Sequence, residues 1–296
     1  MVLNGILSAD TAVMLSISRT KFFADTGSYE VVRDASVSLS VNGAFLEQMQ
    51  WTEDESFYGG GIYISGYKPQ TGDLIRIEAT TTYGEAWAEE TIPQKVRIED
   101  VTFSYKKIYD HKGYTIDENG ELIEIPTIEI TYRITFADKA ETTDYYFIRI
   151  DNPEPPFENV GNLDYSSDPV FVEQISVVDG LFGGKTIQGQ GGRSFTDHLI
   201  NGQHYTLVVK ETGGNYDYAP FLERRIILYA VTESYYHYLT SMQTSTDAAN
   251  SANLSTFGFT EPVRIFTNIH GGTGIMATSR HDIVSVNLGD ILKDNE

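Results

Sequence analysis

The chain has no cysteine in its 296 residues, so disulfides, thiolate catalysis and zinc sites of the cysteine type are excluded. It has no uninterrupted apolar run of about 18 residues, so no segment reads as a membrane-spanning helix. Basic residues are scarce, 21 Lys and Arg against 42 Asp and Glu, and the net charge is −21. A surface of that sign does not displace counterions from a phosphate backbone, which argues against nucleic acid as a partner. The acidity reads instead as a device for solubility and mutual repulsion between copies, with calcium the one cation left open. The opening Met1-Val-Leu-Asn-Gly5 has neither the basic region nor the apolar region of an export signal. It therefore fits either a cytoplasmic protein or one whose export signal lies ahead of residue 2.

What is present points to sheets. The hydrophobic share is 41%, with 19 Tyr and 15 Phe, and aromatic side chains favour pleated surfaces. The length suits two domains, each able to bury a core. Alternating runs recur at Val2–Ser8, Val13–Arg19, Ser36–Val41, Ala44–Trp51, Gly61–Ser65, Asp73–Thr82 and Ala86–Ile92. Such spacing, with Asn42-Gly43 as a hairpin turn, predicts an immunoglobulin-like β-sandwich over residues 1–93. Gly59-Gly60-Gly61 has neither a following helix nor a Lys to make a phosphate cradle, and reads as a loop or bulge.

Ile92-Pro93-Gln94-Lys95 marks the predicted boundary, because proline ends strand pairing. Residues 94–296 are expected to form a larger, mainly antiparallel β domain. Val96–Ile108 and Leu122–Phe136 flank a polar insert, Asp110–Gly120, which reads as a long hairpin turning at Asn119-Gly120. Further strands are predicted at Thr143–Asn152, Val170–Val178, Lys185–Gln190, Tyr205–Glu211 and Arg225–Val231. The period then changes. Tyr235, Tyr238, Leu239 and Met242 share one helical face within Glu233–Ser251, and the stripe is expected to pack on the second sheet. The stretch Glu261–Ala277 supplies a corner at Gly271, Gly272 and Gly274, where positive φ or close backbone approach is expected.

Catalytic templates fail one after another. Gly180–Thr186 places only three residues between the glycines where a phosphate loop needs four, and no helix signal follows. Gly189-Gln-Gly-Gly-Arg-Ser194 lacks the third glycine of a dinucleotide turn. No Gly-x-Ser-x-Gly elbow occurs. Asp197 with His198, and His281 with Asp282, are adjacent acid–imidazole pairs, but neighbours on a strand point to opposite faces. Asp117, Asn119 and Gly120 resemble a calcium loop in composition, yet strands rather than helices flank them, which favours a turn. The loop Gly213–Phe221 presents Tyr216, Tyr218 and Phe221, the weak candidates for a binding surface. No catalytic residue, cofactor site or metal ligand is assigned.

One resemblance covers nearly the whole chain. Tyr235-Tyr-His-Tyr-Leu239, then Glu261-Pro-Val263, then Asn268-Ile-His-Gly-Gly-Thr-Gly-Ile-Met-Ala277 resemble the C-terminal signature of a bacterial family catalogued as domain of unknown function 4249. That signature has a Tyr-rich helix, a Pro-containing run and an Asn-x-x-Gly-Gly-x-Gly-x-aromatic-Gly-Ala corner. Leu3–Leu7, Tyr145-Tyr-Phe147 and Asp179–Lys185 agree as well, while Met276 stands where an aromatic is common. The family has no established functional residues to carry over. The resemblance implies an outer-membrane lipoprotein of Bacteroidetes-type bacteria, on the surface or the periplasmic face, encoded beside a TonB-dependent receptor. An export signal and a lipobox cysteine would then precede residue 2, and the lipid would be the only membrane attachment.

The expectation is an all-β, non-enzymatic surface lipoprotein that assists a TonB-dependent receptor in nutrient binding or uptake, with a glycan or peptide as ligand. A secreted glycan- or peptide-directed hydrolase and a structural or adhesive component are the alternatives.

Overall fold

A computed structural model describes residues 1–9, 11–20, 30–57, 59–109, 113–153, 160–172, 192–213, 222–250 and 264–289, with side chains of the last helix described to residue 245. The architecture is all-β, with one helix longer than a turn among these residues. The chain folds as two compact units. One comprises Met1–Lys95 with Ala230–Arg280, the other Val96–Tyr229 with His281–Glu296. The first passage between them falls beside the boundary read from Pro93. The stretch Ala230–Arg280, grouped by the sequence with the second domain, lies in the first unit. The reason is a pairing between distant strands that periodicity does not encode.

In the first unit, strands β1 (Val2–Ser8), β2 (Met14–Ser18), β3 (Ser36–Val41), β4 (Ala44–Gln48), β5 (Gln50–Glu53), β6 (Gly61–Ile64), β7 (Leu74–Thr81) and β8 (Gly84–Thr91) follow in order. One sheet runs β4-β3-β7-β8, and β1-β2-β6-β5 are neighbours in another. The inward residues of both, including Leu3, Leu15, Leu39, Tyr63, Ile75 and Ile77, share one apolar core. Ala44–Trp51, predicted as one strand, is two. Buried Met49 bonds its N–H to the Val37 carbonyl at 2.8 Å, and the chain changes sheets there. The Asn42-Gly43 turn has φ of 53° and 80°, both positive as a type I′ hairpin requires.

The strand that brings the C-terminal stretch into this unit is β18 (Thr273–Asn287), whose first seven residues pair in parallel with β1, Val2 opposite Thr273 through Ser8 opposite Ser279. The glycine corner makes this entry geometrically feasible. Gly271 and Gly274 have φ of 72° and 108°, and a Cβ on them would lie 2.3 Å from the Glu85 carbonyl oxygen and 2.2 Å from that of Leu3. Gly272 needs no positive φ; its Cβ would meet the Met1 carbonyl oxygen at 2.8 Å. The helix Glu233–Asn250, α2, belongs to this unit too. Its tyrosine stripe is less covered than expected, with Tyr235, Tyr238 and Leu239 half-buried and Met242 exposed.

The second unit contains β9 (Ile98–Ile108), a hairpin of β10 (Tyr114–Ile116) and β11 (Leu122–Glu124), β12 (Thr127–Ala137), β13 (Tyr145–Asp151), β14 (Asn162–Asp164), a one-turn helix α1 (Pro169–Val172), β15 (Arg193–Thr196), β16 (His204–Thr212) and most of β17 (Glu223–Val231). One sheet has the order β14-β16-β12-β9, and β15-β13-β17 are neighbours in another. Pro169–Val172 is helical, which corrects the strand predicted from Val170; proline suits the first turn of a helix, where its missing N–H has no intrahelical role. Ile130, Tyr132, Ile134 and Phe136 alternate inward along β12 and are fully buried. Around Phe195 the rings of Phe136, Tyr146 and Phe171 pack at centroid distances of 5.2 to 6.2 Å.

Candidate functional site

Charge is concentrated inside the second unit. Leu207 and Val209 point inward along β16, and so does Glu211, two residues on. On β17 Arg224 is in phase with the inward Ile226 and Leu228. Both charged side chains are completely buried. Arg224 donates from Nε and Nη2 to the two Glu211 oxygens at 3.1 and 2.8 Å. The Tyr132 hydroxyl donates to Glu211 at 2.6 Å and the Gly161 N–H at 2.9 Å. A planar, bidentate pair with its remaining acceptor sites filled is the arrangement that makes burial of an ion pair tolerable. The signal was present in the sequence as a charge in phase with an apolar row.

A second cluster forms where β12, β13 and β15 end. Asp138, Asp144 and Asp197 bring one carboxylate oxygen each within 4.8 Å of the others. The register of β13 with β15 pairs Tyr145 with Thr196. Asp144 and Asp197 therefore follow at the same end, where the Asp144 N–H donates to the Asp197 carboxylate at 2.8 Å. Asp138 accepts from the Tyr146 hydroxyl at 2.5 Å and from the Gly202 N–H at 2.7 Å. Asp144 accepts from the Thr142 hydroxyl at 2.7 Å. Burial pushes the Asp197 carboxyl above its ordinary value, with the negative charges of Asp138 and Asp144 adding to the shift against the lowering bond from the Asp144 amide. The Tyr146 phenol is raised as well, first by burial and then by its bond to Asp138.

Three carboxylates at this spacing are the donor type a hard cation takes. Here, however, each already accepts a hydrogen bond that holds a turn. No signal of period or motif singled out Asp138 or Asp144, because their loop between β12 and β13 meets Asp197 from a turn far along the chain. Asp168 completes the pattern. It is buried and accepts from the Tyr205 hydroxyl at 2.5 Å and the Val208 N–H at 2.7 Å.

The adjacent acid–imidazole pairs do not converge. Asp197 is buried while His198 is exposed. Asp282 accepts the Ile98 N–H at 3.0 Å, while His281 lies against the Tyr229 ring at 5.1 Å. Asp117 gives its carboxylate to the N–H groups of Asn119 and Glu121 at 2.9 and 2.8 Å, and these bonds hold its pKa below the ordinary value. The Gly59–Gly61 stretch is a turn leading into β6, and a Cβ at Gly61 would strike the Trp51 ring. Tyr216, Tyr218, Phe221 and Gly180–Thr186 lie outside the described residues, as do Gly189, Gln190 and Gly191.

In the first unit, Asn268 of the corner carries a role the sequence did not reveal. Its side-chain amide accepts the Met276 N–H at 3.0 Å, donates to the Met276 carbonyl at 2.6 Å and donates to Glu90 at 2.9 Å. It thus stands in for a strand neighbour. Two residues on, His270 exchanges backbone hydrogen bonds with Trp87 at 2.9 and 3.0 Å, and the two rings stack at 4.0 Å. On β7, Arg76 lies over the Trp87 ring at 3.9 Å. Glu90 is half-buried, and this partial burial raises its carboxyl against the lowering bonds of Ser234 and Asn268.

The model of the family described as Domain of unknown function (DUF4249) matches residues 1–282. No curated protein matches the chain.

Proposed function

The chain belongs to the DUF4249 family, and from that membership we propose that it is a non-enzymatic, lipid-anchored surface protein of the outer membrane that assists a TonB-dependent receptor in nutrient binding or uptake. The location and the receptor come from the family resemblance. The observation that carries the non-enzymatic part is the engagement of the buried carboxylates. Glu211, Asp138 and Asp168 are spent on tyrosine hydroxyls, backbone amides and a guanidinium. A general acid or nucleophile needs a carboxyl that meets substrate. A hollow in the described surface is lined by Arg264, Ile265, Phe266 and Thr267, none of them acidic.

The experiment is recovery of the native protein from its own cells with an affinity tag at the C-terminus. A TonB-dependent receptor recovered in stoichiometric amount from the outer-membrane fraction supports the reading. A native protein found in the cytoplasm without lipid ends it.

A further inference from the structure

The β10–β11 hairpin is built unlike the rest of the molecule. Its strands pair only with each other among the described residues, in a register that sets Ile116 opposite Leu122 and Thr115 opposite Ile123. Directly opposed residues share a face, so Ile116 and Leu122 lie on one side and Ile123, with Ile125 two residues on, lies on the other. All four are exposed, Ile116 and Leu122 by 67% and 68%. A two-stranded ribbon is marginal in water without a surface to pack on, and apolar groups on both faces add to that cost. These side chains are suited to burial against something else.

Charge selects the occupant. Between Gly113 and Ile125 the sequence has Asp117, Glu118, Glu121 and Glu124 and no basic residue. Three of these carboxylates crowd the turn at the tip. A second copy would bring the same charges to meet them, on a chain whose net charge is already −21. A lipid surface would have to take in the tip carboxylates ahead of the apolar side chains, which is costly. A protein groove with an apolar floor and a Lys or Arg rim satisfies both features.

We propose that the β10–β11 hairpin is a docking arm for a protein partner offering an apolar groove bordered by basic residues. It rests on the reading of the chain as an interaction protein and supplies the surface.

The test places a photoreactive phenylalanine analogue at Ile116 in the full chain in its native cells, with the same analogue at exposed Glu85 of the first unit as control. The expected result is one adduct with a different protein, identified by mass spectrometry, from Ile116 and not from Glu85. With that protein purified, I116S/L122S should weaken binding by about tenfold or more, and binding should fall as salt rises from about 0.05 to 0.5 M. The variant should keep the circular dichroism melt of the wild type, since both side chains lie outside the buried cores; if it does not fold, the wild-type adduct and its salt dependence decide. An adduct of two copies, an adduct with lipid, no adduct at Ile116, or salt-insensitive binding overturns the proposal. An adduct with a protein that is not a TonB-dependent receptor keeps the arm and overturns the receptor reading. A receptor that co-purifies but never cross-links at Ile116 does the reverse.

Discussion

The two units bury different chemistry. In the first, the buried polar residues among those described are Ser65, Thr278 and Ser279, all small and uncharged. In the second they include Asp138, Asp151, Asp168, Arg193, Asp197, Glu211 and Arg224. The first unit is held by apolar packing between sheets, where cohesion is spread over many side chains and no single one fixes the register. The second ties its strands and turns at a few points by directional bonds to charged groups. Such bonds add little net stability when complete, but they are costly to break singly, because a charge is left buried. The difference teaches that abundant buried acid here signals internal fastening.

The largest effect should come from splitting the Glu211–Arg224 pair. Arg224→Met leaves the carboxylate buried and is expected to cost about 4 kcal/mol, read by faster amide exchange in β12 and β16. Adding Glu211→Leu to it should recover most of that loss. A single replacement costing under about 1 kcal/mol would erase the contrast between the units.

Next is the apolar core. Leu39→Ala in the first unit should cost about 3 kcal/mol, read by tryptophan fluorescence, since Trp51 and Trp87 both lie in that unit. Gly274→Ala should follow at about 2 kcal/mol, from a positive φ and a clash with the Leu3 carbonyl. Tyr205→Phe removes one of the hydrogen bonds to buried Asp168 and should cost about 1.5 kcal/mol.

The smallest effect is the one with a sign set by pH. The folded Asp197 carboxyl sits above its unfolded value because burial and two neighbouring carboxylates disfavour its charge. Its contribution to stability is therefore full below the unfolded value of about 4 and is lost as pH rises through the folded value. Asp197→Asn keeps an acceptor for the Asp144 amide and removes the charge. Unfolding curves should show the variant gaining on the wild type as pH rises and losing that gain below about pH 4.

Much of the fold was legible because it is local. The alternating runs of the first ninety or so residues became strands, Asn42-Gly43 became the hairpin turn, and the tyrosine-rich run became α2. The split at Met49 was hidden because period 2 continues through a bend that changes sheets. The parallel pairing of β1 with β18 joins the two ends of the sequence, and nothing in either strand's period names its neighbour. Asn268 was visible as part of the corner, but its clasp on Met276 depends on the backbone path around three glycines. Glu211 and Arg224 were legible in principle, as charges at inward positions of apolar strands. The acid cluster was not, since it exists only where the β12–β13 connection meets the turn that follows β15.

The central claim is that these buried acids hold the fold and that function lies in contact with a partner. The most direct measurement is recovery of the proposed TonB-dependent receptor with the tagged Asp197→Asn protein, compared with wild type, at equal abundance and matching melting profile. The account predicts equal recovery; loss of the receptor from a variant that folds like the wild type would contradict it.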